Sequence, residues 1–333
     1  MKVQCNKRRD APAYNGRMFL RVVSLLLIML GFGVDAISQS KTVAITIDDL
    51  PYEWHDPNIH KLDAADAKQA AVVNQKILAA LARHKAPVTG FVNQLKVEQL
   101  GVEQGTAMLK PWTSGSFDLG NHLYAHKDAN DLSVEQIEDE IVRGEATIGP
   151  LMKEGGKKLE FLRFPYNHTG DTKEKHDAVA AFIAKRGYRL APCTIESDDW
   201  EFSWAYVKML AKHDDAGMAK LHTEYLAYTS AEIDYYAALN RQVLGYEPPE
   251  IMLLHANQMN AEWIDDVVAL FEKKGYRFVS LSEAESNPIY KQPDSYISSN
   301  GPMWGYRWAA ERGLKVNGKL EAEPPAWVTQ YGK

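Results

Sequence analysis

The run Thr42-Val43-Ala44-Ile45-Thr46-Ile47-Asp48-Asp49-Leu50-Pro51 decides how this chain folds. Its first six residues are apolar or β-branched and carry no charge, the pattern of a strand buried on both faces. Two carboxylates then close the run at its C-terminal end. Parallel sheets, open or closed, place their sites at that end, so Asp48 and Asp49 are candidate functional residues rather than a solvated turn before Pro51.

Working outward, strand-like runs recur at Val88–Val92, Phe117–Leu119, Leu159–Leu162, Leu190–Ile195, Ile251–Leu254 and Arg277–Leu281. Longer segments of helical character separate most of them, and this alternation implies parallel β/α units. Ala64–His84 has helical apolar spacing, and Ser133-Val-Glu-Gln136 is a capping-box start for a helix running through Val142 to Ile148. Trp263–Lys274 reads as a short amphipathic helix closed by Gly275. Trp204 to Gly245 is too long for one crossover and reads as an inserted helical hairpin. Its Tyr225, Tyr228, Tyr235 and Tyr236 are expected to pack inward. The segment from Pro288 is rich in Gly, Pro and Asn but also holds Tyr290, Tyr296, Trp304, Tyr306, Trp308 and Trp327, so it is expected to wrap the domain.

The N-terminus differs from the rest. Six basic residues between Lys2 and Arg21 precede the apolar stretch Val22–Val34, which ends at Ala36. That is the pattern of a secretory signal peptide, too short to span a bilayer, with Met18 as an alternative start and a retained anchor as the weaker alternative. The expected mature protein is exported, to the periplasm or the medium, and after cleavage makes no membrane contact. Without residues 1–36 the chain holds 32 basic and 42 acidic residues, a formal charge near −10 that disfavours nucleic acid and anionic membrane as partners. Of the two cysteines, Cys5 lies in the leader. Cys193 is then alone, which leaves no disulfide framework and suits a small buried hydrophobe better than a nucleophile.

Four further clusters follow candidate strands. His122 and His126 stand four residues apart, and on one helical turn both rings would reach a single ion. Two histidines and one carboxylate form a ligand set for catalytic Zn²⁺ or another divalent first-row ion. Arg163 interrupts an apolar run before Phe164-Pro165-Tyr166 and, if buried, needs a carboxylate partner. Glu196-Ser-Asp-Asp199-Trp200 and Leu253-Leu-His255 complete the set. In a barrel all five strand ends converge on one rim, and that joint position outweighs the plain reading of each cluster alone.

Taken together, these motifs resemble the polysaccharide deacetylases, carbohydrate esterase family 4 with its NodB-like homology domain, over about Thr42 to Leu281. Thr46-Ile-Asp48-Asp49 is similar to the family's Thr-Phe-Asp-Asp, His122-Leu-Tyr-Ala-His126 to its His-(Ser/Thr)-x-x-His, and Arg163-Phe-Pro165-Tyr166 to its Arg-x-Pro-(Tyr/Phe). Glu196-Ser-Asp-Asp199-Trp200 resembles Asp-x-x-Asp-Trp, and Leu253-Leu-His255 resembles Leu-x-His. Leu50, Leu123 and Glu196 depart from the family pattern without removing a catalytic group.

The resemblance implies a distorted (β/α) barrel of about seven parallel strands over residues 37–286, with the helical insertion at about 204–247 and an aromatic-rich extension at 287–333. It also implies a metal-dependent hydrolase that removes acetyl groups from an acetylated oligo- or polysaccharide. Asp49, His122 and His126 would bind the ion, Zn²⁺ by preference, with Co²⁺ or another first-row ion as alternatives. Asp48 would be the general base held by Arg163, and His255 the general acid oriented by Asp199. The Tyr166 N–H would stabilise the oxyanion, while Trp200 and Leu253 would line the acetyl pocket. The alternatives are a metal hydrolase of a non-glycan amide and a catalytically silent carbohydrate-binding relative.

Overall fold

The computed structural model describes residues 40–54 and 62–333, so the leader and its cleavage lie outside the described residues. Seven strands form one parallel sheet: β1 Thr42–Leu50, β2 Val88–Val92, β3 Phe117–Asn121, β4 Phe161–Leu162, β5 Arg189–Leu190, β6 Glu250–His255 and β7 Arg277–Phe278. β1 lies between β2 and β6, and all nine of its residues are buried, as expected for a run that is uncharged and β-branched up to Asp48. β7 pairs with the start of β1.

The sheet curls back on itself. β5 pairs with β4, and five residues later Ile195 bridges to Met252 of β6, so one irregular stretch joins both ends of the curve. Regular pairing breaks between these contacts at Pro192, which has no N–H to offer. That is why Leu190–Ile195 is not one continuous strand. Arg277–Leu281 is likewise shorter as a strand than expected, because Ser280 caps the short helix that begins at Leu281.

The helices cover this sheet: α1 Ala64–Arg83, α2 Gln94–Leu100, α3 Val102–Leu109, α4 Val134–Glu154, α5 Lys173–Lys185, α6 Asp199–Lys212, α7 Asp215–Leu244, α8 Gln258–Lys273, α9 Leu281–Ala284, α10 Trp304–Glu311 and α11 Ala326–Gly332. Ser133 caps α4 in a complete capping box with Gln136. α8 starts five residues before Trp263, because Asn257 accepts from the Asn260 N–H and nucleates the helix there. The long stretch after Glu196 is two helices, α6 and α7, and Tyr225, Tyr228 and Tyr236 of α7 are buried. No helix among the described residues is long and apolar enough to cross a membrane.

Glu250, at the start of β6, is fully buried and takes a hydrogen bond from Asn240 Nδ2 at 2.8 Å. Burial pushes its carboxyl up to about 8. Its folded value lies above its unfolded value, so the stability it contributes is present below the ordinary carboxylate range and is lost as pH rises towards 8. Glu250→Gln is therefore expected to flatten this alkaline loss, on the order of 3 kcal/mol, in melting curves taken between pH 5 and pH 9.

Candidate active site

The site is assembled where strands end and the backbone leaves its regular path. Along an ordinary strand, neighbours Asp48 and Asp49 would point to opposite faces. The pairing of β1 with β2 shifts register between Ile47 and Leu50, and Asp49 has a φ of 69°, so both carboxylates reach the same cavity. The β1–β6 register sets Asp48 opposite His255. Left-handed, non-glycine backbone recurs at Leu123, His126, Tyr166, Asn167 and Asp198, so the loops after β3, β4 and β5 each carry such a residue. Conformations of this kind cost roughly 1–3 kcal/mol each and persist where surrounding structure dictates them.

The histidine pair corrects one expectation. His122 and His126 stand in a loop after β3 and not on a helical turn. The φ values of 66° at Leu123 and 55° at His126 turn the chain so that their rings converge, with centroids 5.1 Å apart. Asn121 Oδ1 accepts from the Leu123 N–H at 2.9 Å, and Glu140 accepts from the Ala125 N–H at 2.7 Å. These contacts fix the loop in which the family's Ser/Thr is absent, while Leu123 itself is buried in the core.

Ligand-type atoms of Asp49, His122 and His126 all lie within 4.8 Å of one another, the one such group of three among the described residues. His126 Nε2 is 3.4 Å from Asp49 Oδ1, and His122 Nε2 is 3.8 Å from the same oxygen. His122 Nδ1 meets the Arg163 carbonyl at 2.8 Å, which leaves Nε2 for the cavity. Burial lowers His122 below the usual histidine range and takes His126 down to about 3, so both rings are neutral. Burial alone would raise Asp49, but Lys96, His126, His122 and His255 outweigh it and hold this carboxyl far below its usual range. Asp49 Oδ1 is buried with no hydrogen-bond partner, although Lys96 Nζ stands 3.1 Å away as an ion pair. A buried anionic oxygen beside two neutral imidazoles fits a divalent cation.

Beside this group, Arg163 is 1% exposed and donates from Nη1 to Asp48 Oδ1 and to Thr46 Oγ1, each at 2.8 Å. Its remaining donors reach the Ala191 and Pro192 carbonyls, and Phe91 lies beneath its guanidinium at 4.4 Å. This buried pairing decides against a surface arginine at the sheet rim. In the same cavity, His255 Nδ1 meets Asp199 Oδ1 at 2.8 Å, and the His255 N–H donates to Asp199 Oδ2 at 2.8 Å. Asn257 and Asn260 also donate to Asp199. Burial would lower His255, yet Asp199 first, then Glu53 and Asp49, raise it well above its usual value.

A cavity of about 400 Å³ connects these groups, with Tyr166, Trp200 and Leu253 in its wall. A larger one of about 450 Å³ lies between α5 and the C-terminal segment, but it has no comparable group of ligand-type atoms, so chemistry rather than volume selects the site. Other groups stand at this cavity or beside it. Glu53, two residues beyond Pro51, is buried, accepts from Asn257 Nδ2 at 2.9 Å and is pushed by burial up to about 7. Glu196 also lines the cavity, and burial, with Asp198 and Glu321 nearby, raises it to about 8. Asn257 and Asn260 had a signal in hand, since Asn-x-x-Asn directly after His255 is a cap pattern. Cys193 is buried, and burial raises its thiol to about 12.

Gly301 and Met303 complete the wall from the far end of the chain. A Cβ on Gly301 would stand 1.8 Å from the Tyr166 carbonyl oxygen, so only glycine permits this approach. Arg307, 1% exposed, ties the same loop down through the Asn167 carbonyl and Thr169 Oγ1.

Residues 36–182 match the family model for polysaccharide deacetylase, and the parallel, curled sheet is that of a NodB-like fold. A chitin deacetylase of Arthroderma benhamiae is 23% identical over 174 residues, 52% of this chain and 39% of that protein, so the chain spans about two fifths of that relative's length. In fold it is similar to a CE4 family pseudoenzyme from Bacillus anthracis, with a TM-score of 0.50 at 17% identity over 74% of this chain and 66% of the other. A mutant of a CE4 family pseudoenzyme with restored enzymatic activity gives the same TM-score at 18% identity, over 74% and 68%.

Proposed function

We propose that the chain is an exported, metal-dependent deacetylase that hydrolyses N-acetyl groups on an acetylated glycan. The observation that carries this reading is the convergence of Asp48–Arg163, His255–Asp199 and the group Asp49, His122 and His126 on one cavity. A base, an acid and a cation site then face one small cavity, as amide hydrolysis requires.

Asp49, His122 and His126 would hold the ion, which when bound supplies Lewis acidity towards the acetyl carbonyl. Asp48, fixed through Oδ1 by Arg163, takes the proton of the attacking water. The Tyr166 N–H, presented by a φ of 59°, donates to the oxyanion. His255 gives its proton to the leaving nitrogen as the C–N bond breaks, and Asp199 stabilises the charged ring before transfer. Leu253 and Trp200, in the wall of the cavity, flank the methyl group.

The test is acetate release from N-acetylglucosamine oligomers, peptidoglycan and acetylxylan, using chelated protein with and without added Zn²⁺ or Co²⁺. Chelation is expected to abolish release and added metal to restore it, on the N-acetylated substrates first. Metal-independent release, or release from none of the panel with metal bound, would overturn the reading. The alkaline side of the pH profile follows from His255: with its value raised, the acid form persists through neutrality and kcat falls as the ring loses its proton at higher pH. His255→Gln is expected to lower kcat by about 10²–10⁴ and to remove that alkaline limb.

A further inference from the structure

Trp200 walls more than the catalytic cavity. Its indole is 41% exposed and also forms one side of a second depression, of about 420 Å³. Trp204 and Glu201 contribute to this depression from α6, and Thr329, Gly332 and Lys333 from the C-terminal end of the chain. On α6 the two indoles stand four residues apart and so share one face, about 5–6 Å from each other at Cβ. The walls are fixed, because α11 is seated closely on α6. A Cβ on Gly332 would stand 3.1 Å from Trp204 Cβ, and Thr329 Oγ1 donates to Glu201 Oε2 at 3.1 Å.

This lining pairs broad aromatic faces with a carboxylate, a hydroxyl and an ammonium at the rim. A pyranose ring is its complement: C–H groups on one face pack on indole, and the ring's hydroxyls meet the polar rim. The volume lies within the range of small-ligand sites, and the shared Trp200 makes the depression adjacent to the place of reaction. We infer that this depression is an outlying subsite that holds a neutral sugar ring of the acetylated glycan, next along the chain from the ring being deacetylated. The inference rests on the reading of the catalytic cavity given above, and it makes the C-terminal helix part of substrate recognition.

Acetate release and calorimetric binding would be measured with N-acetylglucosamine oligomers of increasing length. The proteins are the wild type, Trp204→Ala, Trp204→Phe and Thr329→Trp, the last of which fills the depression while keeping both indoles. For the wild type, kcat/KM is expected to rise with length. Trp204→Ala and Thr329→Trp should each lose about tenfold at the longest oligomer, chiefly in KM, while Trp204→Phe keeps most of the gain. Equal losses at every length in Trp204→Ala with Thr329→Trp unaffected, or no loss in any variant, would overturn the subsite. The two readings fail separately. Oligomers that bind the wild type and not Thr329→Trp, yet release no acetate with Zn²⁺ added, keep the subsite and sink the deacetylase. Release with an efficiency independent of length does the reverse, and neither binding nor release overturns both.

Discussion

Asp48→Asn is expected to lower kcat by about three orders of magnitude while metal content stays at the wild-type level. The expectation follows from a division of labour between adjacent residues. Asp48 is held by Arg163 and Thr46, whereas Asp49 faces the histidines, and the register shift in β1 is what lets both look into one cavity. His122→Ala should behave differently, losing bound metal and turnover together, because it removes a ring whose other nitrogen is fixed on the Arg163 carbonyl. Metal analysis beside steady-state kinetics on both variants decides the matter. Near wild-type turnover in Asp48→Asn would mean that another group accepts the proton, and Glu53 would then be the first to examine.

The second large effect concerns Arg163. Its guanidinium is buried and satisfied by one carboxylate, one hydroxyl and two carbonyls. Arg163→Met leaves Asp48 buried without its partner, and removal of one member of such a pair costs about 3–5 kcal/mol. The expected result is a clear fall in denaturation midpoint together with loss of activity. Asp48→Asn in the same chain should recover a large part of the stability and none of the activity. Calorimetry of the two single variants and the double variant measures the coupling directly. Additive losses would show that the arginine stabilises the sheet through its carbonyl contacts alone.

How much of this was legible beforehand depended on whether the information was local. β1 could be read because an uncharged β-branched run ending in two carboxylates has few other uses, and α6 and α7 because their apolar spacing persists over several turns. β4, β5 and β7 are pairs of residues whose strand character comes from neighbours far along the chain, so their ends could not be placed. The strand-end clusters could be gathered onto one rim, but not the way His122 and His126 meet. That depends on left-handed backbone at Leu123, a residue type that gives no local sign of such a turn. Glu53 went unread because a carboxylate just past a proline looks like a solvated turn until Asn257, some two hundred residues later, is brought against it.

The last wall of the cavity carries a consequence for how the protein comes into being. Strand-end residues from Asp48 to His255 leave the ribosome before Gly301, Met303 and Arg307, which press on and pin the loop bearing Tyr166. A nascent chain can therefore pair its strands and still lack a finished cavity, since domains form from the N-terminus during synthesis. The cavity is completed as a late event, when the segment bearing Gly301 and Met303 folds onto the rim. Truncations that remove Gly301, Met303 and Arg307 leave that wall open, however remote these residues look along the sequence.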